Sequence, residues 1–221
     1  MAEAYIIDAK RTPVGRRRGA LSAAHPADMG AHAIRAVLGD HVDPAAVEDV
    51  VFGCVDTVGV QAGDIARTCW LAAGLPDEVP GTTIDRQCGS SQQAVHFAAQ
   101  GVLSGTQDLV VAGGVQNMSM VPISFSMTAA RELGQSDPFS GSKGWVKRYG
   151  TTPVNQFRSA EMIAEKWGLS REDLERFALT SHQNALRAQD EGRFTREIAP
   201  YGDMVADEGP RRGTSMEKMA T

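Results

Sequence analysis

The stretch Ile84-Asp85-Arg86-Gln87-Cys88-Gly89-Ser90-Ser91-Gln92-Gln93-Ala94 sets a cysteine where an apolar strand ends and a helix begins, with a glycine directly after it. Residues 81–86 read as the strand. From Ser90 or Ser91 a helix carries Ala94, Val95, Ala98, Val102 and Leu103 on one face and stops at Gly105. A nucleophile needs this placement, because the unpaired N–H groups at a helix N-terminus favour the thiolate. Gly89 clears space where a substrate carbonyl must approach, and the Cys88 amide can donate to an oxyanion. From the residues alone, a small buried core cysteine is the alternative reading of Cys88.

Strand and helix alternate outward from this stretch. Residues 3–9 read as a strand, and Arg11-Thr12-Pro13-Val14-Gly15 is the turn after it. A helix opens at His25-Pro26 and runs through Met29, Ala33, Ile34, Val37 and Leu38 to Gly39. Val50–Val55 is a strand. Asp64 caps a helix over Ile65, Ala66, Cys69, Trp70 and Leu71 that ends at Gly74, and Asp108–Gly114 is a further strand. This order implies an α/β sheet covered by helices. After Val115 the pattern changes. The Ser- and Met-rich run to Tyr149 reads as irregular, followed by helices over 159–167 and 170–188 and the start of another over 214–221. Ser170 and Asp173 match a capping box with Asp in place of Glu.

Composition narrows the function classes. With 221 residues, 42% apolar and 22% charged, the chain can bury a sizeable core. No stretch is long and apolar enough to span a membrane and no secretory signal opens the chain, so the expected location is the cytoplasm. The net charge of -5 speaks against a broad nucleic-acid surface. Three cysteines, at 54, 69 and 88, make neither a disulfide framework nor a zinc spacing, and no His/Asp/Glu cluster has metal spacing. Cys54 and Cys69 fall at apolar positions and read as core residues. His96 lies eight residues along the helix that Cys88 precedes, roughly 12 Å away at about 1.5 Å per residue, out of reach as a base.

Arg86-Gln87-Cys88-Gly89-Ser90 before a Gln-Ala-rich helix resembles the nucleophile loop of the thiolases, acyl-CoA acyltransferases. Further segments agree in order: Ala9-Lys10-Arg11-Thr12-Pro13, Val111-Ala112-Gly113-Gly114 with Met118-Ser119, Ala160-Glu161, Ser170-Arg171-Glu172 and Gly192-Arg193-Phe194. The Cys88 context is similar to actinobacterial thiolases of steroid and fatty-acid degradation. It is unlike the Ala-Cys-Ser or Ala-Cys-Tyr of related condensing enzymes.

The resemblance implies a thiolase-like fold, a mixed β-sheet covered by helices, with a nucleophile domain over 1–115 and a mainly helical loop domain over 116–221. It implies Cys88 as the acyl-thioester nucleophile and coenzyme A as a substrate, with no bound cofactor or metal. Arg211, Gln156 and Met118 are the implied coenzyme A contacts, whereas Arg16-Arg17-Arg18 reads as a solvated turn or a subunit contact. The family's Gly-His-Pro histidine, second cysteine and Gly-rich oxyanion loop do not occur here, so the chain resembles the N-terminal half of a thiolase. The expected partners are acyl-CoA substrates, with a homodimer or homotetramer in the full-length family, or the missing C-terminal half. The alternative is an inactive half that binds coenzyme A or a partner subunit.

Overall fold

The structure, a computed structural model, describes residues 3–220. It divides into two compact units. One runs through Ala129 and regains Arg196–Glu208; the other holds Ala130–Thr195 and the residues from Gly209 on.

In the first unit, helix α1 (Pro26–Leu38) starts at His25, whose Nδ1 accepts the Ala27 amide at 3.2 Å. Strand β1 (Asp49–Gly53) follows, then α2 (Ile65–Ala72), capped by Asp64. Strand β2 (Gly81–Ile84), helix α3 (Ser90–Ser104) and strand β3 (Val110–Gly114) complete the alternation. The described sheet is parallel throughout, in the order β2-β1-β3. Alternate residues of β1 serve opposite layers. Val50, Phe52 and Cys54 pack with Ile34, Leu38, Ile65, Cys69 and Trp70 of α1 and α2. Gly53 lies against the start of α3 on the other face. The sheet is thus a middle layer between α1 and α2 on one side and α3 on the other.

The strand expected over residues 3–9 does not form. Tyr5, Ile6 and Ile7 are 76%, 80% and 71% exposed, and the first bridge the chain makes is Arg11 to Ile198. Alternating apolar residues supply a face to bury, but a strand also needs a ladder to join, and residues 3–9 pair with none of the three described strands.

Two sets of contacts tie segments beyond residue 115 to the first unit. Residues 116–128, including α4 (Phe125–Thr128), are fastened to the end of β1 by side-chain hydrogen bonds described below. Residues 196–208 are bound to the N-terminal turn. Arg11 pairs with Glu197 and Asp207, each at 2.7 Å, and the Glu208 carboxylate accepts the amides of Arg16 and Ala20. The Arg16–Arg18 turn is therefore clasped by Glu208.

The second unit is helical. Residues 143–149, expected to be irregular, form α5 (Lys143–Tyr149), capped by Ser142 and holding Trp145 between Phe139 and Tyr149. Helices α6 (Gln156–Trp167), α7 (Arg171–Asp190) and α8 (Met216–Met219) follow. Ser170 and Asp173 do form the reciprocal capping box. Among the described residues no helix is long and apolar enough to cross a membrane.

Candidate active site

Cys88 stands exposed on the turn between β2 and α3, at the carboxyl edge of the parallel sheet. The turn is built from its own polar groups. The Gln87 amide donates to Asp85 Oδ1 at 2.8 Å, the Arg86 amide donates to Ser90 Oγ at 2.9 Å, and Ser90 Oγ donates to the Gln87 carbonyl. Gln87 itself has φ +50, a conformation costing a side-chain-bearing residue of order 1–3 kcal/mol and concentrated at functional sites. The strain turns the chain sharply enough to present the next side chain, Cys88, to solvent. Gly89 caps α3 without any side-chain hydrogen bond; the amides of Gly89 and Ser90 donate back to the Arg86 and Gln87 carbonyls, each at 3.1 Å, which closes the turn onto the start of the helix. The Arg86 guanidinium is held by Gln93 Oε1, one helical turn into α3.

Two glycines let α3 sit so close to the sheet. A Cβ on Gly53 would stand 2.4 Å from the Ser91 nitrogen, and one on Gly114 would stand 2.6 Å from the Gly53 carbonyl oxygen. Gly113, by contrast, has only the Phe52 ring at 3.3 Å. Of the pair Gly113-Gly114, the second is the one whose missing side chain the packing requires.

Beside this turn at the same sheet edge lies a buried polar cluster that sequence reasoning missed. Asp56 is fully buried after β1. Its carboxylate accepts Ser124 N at 3.1 Å, Ser126 N at 3.0 Å, Ser126 Oγ at 2.8 Å and Gln116 Nε2 at 3.3 Å. Gln61, also buried, donates to the Asp56 carbonyl and accepts the Asn117 amide at 2.6 Å. Asn117 Nδ2 in turn donates to the carbonyls of Leu21 and Ala24. This cluster fixes the segment after β3, from which Met118 projects, 60% exposed. No sequence pattern distinguishes Asp56 from a surface aspartate after a strand.

The other two thiols are buried and chemically quiet. Burial, with the nearby Asp56 charge second, pushes Cys54 up to about 11, and burial pushes Cys69 up to about 12. Three of the five histidines serve elsewhere: His25 caps α1, His32 meets Tyr201 edge to face, and His182 Nδ1 accepts the Arg211 amide at 3.2 Å. No group of three metal-ligating side chains occurs among the described residues.

Gln156 and Arg211 belong to the second unit and Cys88 and Met118 to the first. Gln156 is the exposed first residue of α6, just after its cap Asn155. The Arg211 side chain is exposed and has no described partner, while its neighbour Arg212 is paired with Asp190. Of these two arginines, Arg211 is the one free to meet an anion.

Residues 4–221 match the thiolase N-terminal domain family. The chain belongs to the thiolase family. It is 56% identical over its whole length to the steroid 3-ketoacyl-CoA thiolase FadA6 of Mycobacterium tuberculosis, covering 55% of that protein. It is 38% identical to the beta-ketoadipyl-CoA thiolase of Acinetobacter baylyi, covering all of this chain and 59% of that one. Among solved structures it resembles the Bacillus anthracis acetyl-CoA acetyltransferase at a TM-score of 0.79 and 30% identity, over 100% of this chain and 58% of the other. The thiolase chain described here therefore spans a little over half the length of these relatives.

Proposed function

We propose that this chain carries the nucleophile of an acyl-CoA acyltransferase that cleaves 3-oxoacyl-CoA, or runs the reverse Claisen condensation, and that turnover requires polypeptide beyond residue 221. The observation that carries the reading is the exposed Cys88 on a strained turn directly before a helix, in a chain of the thiolase family.

The Cys88 thiolate attacks the keto carbon of the 3-oxoacyl-CoA, and the bond between that carbon and the α-carbon breaks. The electron pair leaves on the α-carbon of acetyl-CoA and takes up a proton. The thiol of free coenzyme A then attacks the Cys88 thioester, giving the shortened acyl-CoA and returning the thiolate. The main-chain N–H of Cys88 supplies one oxyanion donor. Arg211 takes a coenzyme A phosphate, and Gln156 and Met118 line the path of its pantetheine arm. The base, the acid for the carbon leaving group and a second oxyanion donor come from outside this chain. Similarity to FadA6, a steroid thiolase by name, favours a steroid-derived acyl group.

The half-length of the chain favours a second reading, an inactive half that binds coenzyme A or a partner subunit. Acetoacetyl-CoA cleavage followed by absorbance separates the two. The chain alone is expected to show no turnover, because acid–base groups contribute about 10²–10⁴-fold and an oxyanion donor about 10²–10³-fold. The chain extended in frame by the part of FadA6 it does not span is expected to turn over, and Cys88→Ala to abolish this. An extended, folded chain without turnover would establish the inactive reading.

A further inference from the structure

Asp56 receives both ends of one loop. Gln116 and Asn117 root its first end: Gln116 Oε1 accepts the Val55 amide at 3.0 Å, Gln116 Nε2 donates to Asp56 Oδ2 at 3.3 Å, and the Asn117 amide donates to Gln61 Oε1 at 2.6 Å. Ser124 and Ser126 root the other end, the Ser124 amide on Asp56 Oδ2 and the Ser126 amide and hydroxyl on Oδ1. Ser124 has φ +67, a backbone form that persists in a side-chain-bearing residue only where its surroundings impose it. A fully buried carboxylate is costly unless hydrogen-bonded, and here the loop's own groups supply the bonds. Residues 118–123 are thereby a closed loop of the compact kind whose ends meet, held by one side chain.

Val121 turns inward from the loop and is buried, while Met120, Ile123 and, just past it, Phe125 are exposed. A loop fixed by a buried charge that nevertheless shows apolar side chains to solvent is built to meet something apolar. Its position says what. The loop follows directly on β3, and a Cβ on Gly114, the last residue of that strand, would collide with Ser91 Oγ, three residues past Cys88. Asp56 itself follows β1, the strand that lies between β3 and β2, and the turn after β2 carries Cys88. Ligands of parallel α/β sheets sit outside these carboxyl ends.

We propose that Asp56 is a positioning residue for acyl transfer: it holds Met120, Ile123 and Phe125 as a wall on which the apolar part of an acyl group lies while that group is joined to Cys88. The proposal rests on the functional reading above in taking an acyl group to be what Cys88 carries. It favours thioesters whose acyl group is apolar and longer than acetyl, because only these reach past the sulfur to the loop. Asp56 touches no reacting atom. Its effect runs through Gln116, Ser124 and Ser126, whose loss would let the loop move and the wall disperse.

The test alkylates Cys88 with iodoacetamide or with N-hexyl iodoacetamide, each of which loses iodide to the sulfur, in the chain extended in frame by the unspanned part of FadA6. Acetoacetyl-CoA cleavage is assayed on the same samples. Relative to glutathione, Cys88 is expected to prefer the hexyl reagent by about tenfold, from partial burial of its alkyl chain. Asp56→Asn keeps Oδ1 for Ser126 but sets an amide NH₂ against the Ser124 amide and Gln116 Nε2. It should bring the preference to within about twofold of glutathione's, with Cys54 and Cys69 still unlabelled. Adding Gln116→Glu supplies an acceptor for the new NH₂ and should restore much of the preference, which a general loss of stability would not. If Asp56→Asn also exposes Cys54 and Cys69 to labelling, Ser126→Ala carries the test: it removes one bond to the carboxylate and should lower the preference by about half. No preference in the unsubstituted chain, a preference indifferent to these variants, or one lost and not regained with Gln116→Glu overturns the proposal. A preference that fades as protein concentration rises overturns it too, since a second copy then covers the loop. Turnover without an Asp56-dependent preference removes this proposal and leaves the functional reading standing; the preference without turnover does the reverse.

Discussion

Gly53 on β1 and Ser91 on α3 approach so closely that a Cβ on the glycine would lie 2.4 Å from the serine nitrogen. The position of the helix that follows Cys88 is therefore set by the absence of one methyl group. Gly53→Ala must push the N-terminus of α3 off the sheet, because the obstacle is backbone and cannot rotate away. The expected cost is roughly 1–3 kcal/mol in chemical denaturation. Gly113→Ala, facing only the edge of the Phe52 ring at 3.3 Å, should cost clearly less. Equal losses for the two variants would contradict this packing.

Alkylation should discriminate the three thiols. Cys88 is exposed, while burial holds Cys54 near 11 and Cys69 near 12. Limited iodoacetamide at neutral pH followed by peptide mapping is expected to label Cys88 first, with Cys54 and Cys69 reacting only on unfolding. Early labelling of either buried thiol would count against the assignment.

The Asp56 cluster predicts a local effect rather than a global one. Asp56→Ala strands the Ser124 and Ser126 amides that now donate to its carboxylate, an expected loss of roughly 2–4 kcal/mol for several buried groups left unpaired. Exchange at Ser124 and Ser126 should accelerate before that of the β1 amides. Uniform acceleration across the first unit would show that the cluster does not hold the loop independently.

Acid should release residues 196–208. Burial by itself raises the Asp207 carboxyl, but the hydrogen bonds from Arg11 and the Val14 amide and the Arg11 charge outweigh it, leaving Asp207 below the ordinary carboxylate range. A carboxyl lowered in the folded state stabilises above its unfolded pKa of about 4, and that stability is lost as pH falls through the folded value. The urea midpoint should therefore drop between about pH 5 and pH 3, and Asp207→Asn should remove part of that drop. At neutral pH the variant is expected to be less stable by roughly 1–3 kcal/mol. A variant with an unchanged acid profile would contradict the role of the Arg11–Asp207 pair.

Local signals carried much of this structure. Asp64 before an apolar face predicts α2, Gly105 predicts the end of α3, and Ser170 with Asp173 predicts the start of α7, because caps act through neighbours within three residues. Cys88 was legible for the same reason: its setting is a strand end, a glycine and a helix start in consecutive residues. Partners distant in sequence left no such trace. Arg11 gives no sign that it will meet Asp207, nor Asp56 that it will receive Ser126. Residues 3–9 show the converse, a local pattern that specifies a buried face without naming the ladder that would bury it.

The central claim is that Cys88 forms the acyl thioester. Acid quenching of the extended chain during acetoacetyl-CoA turnover, followed by digestion and mass spectrometry, reads this directly. An acetyl group on the peptide that contains Cys88, lost on adding excess coenzyme A and absent in Cys88→Ala, is the expected result. Turnover with the acetyl group on another residue, or turnover that survives Cys88→Ala, would contradict it.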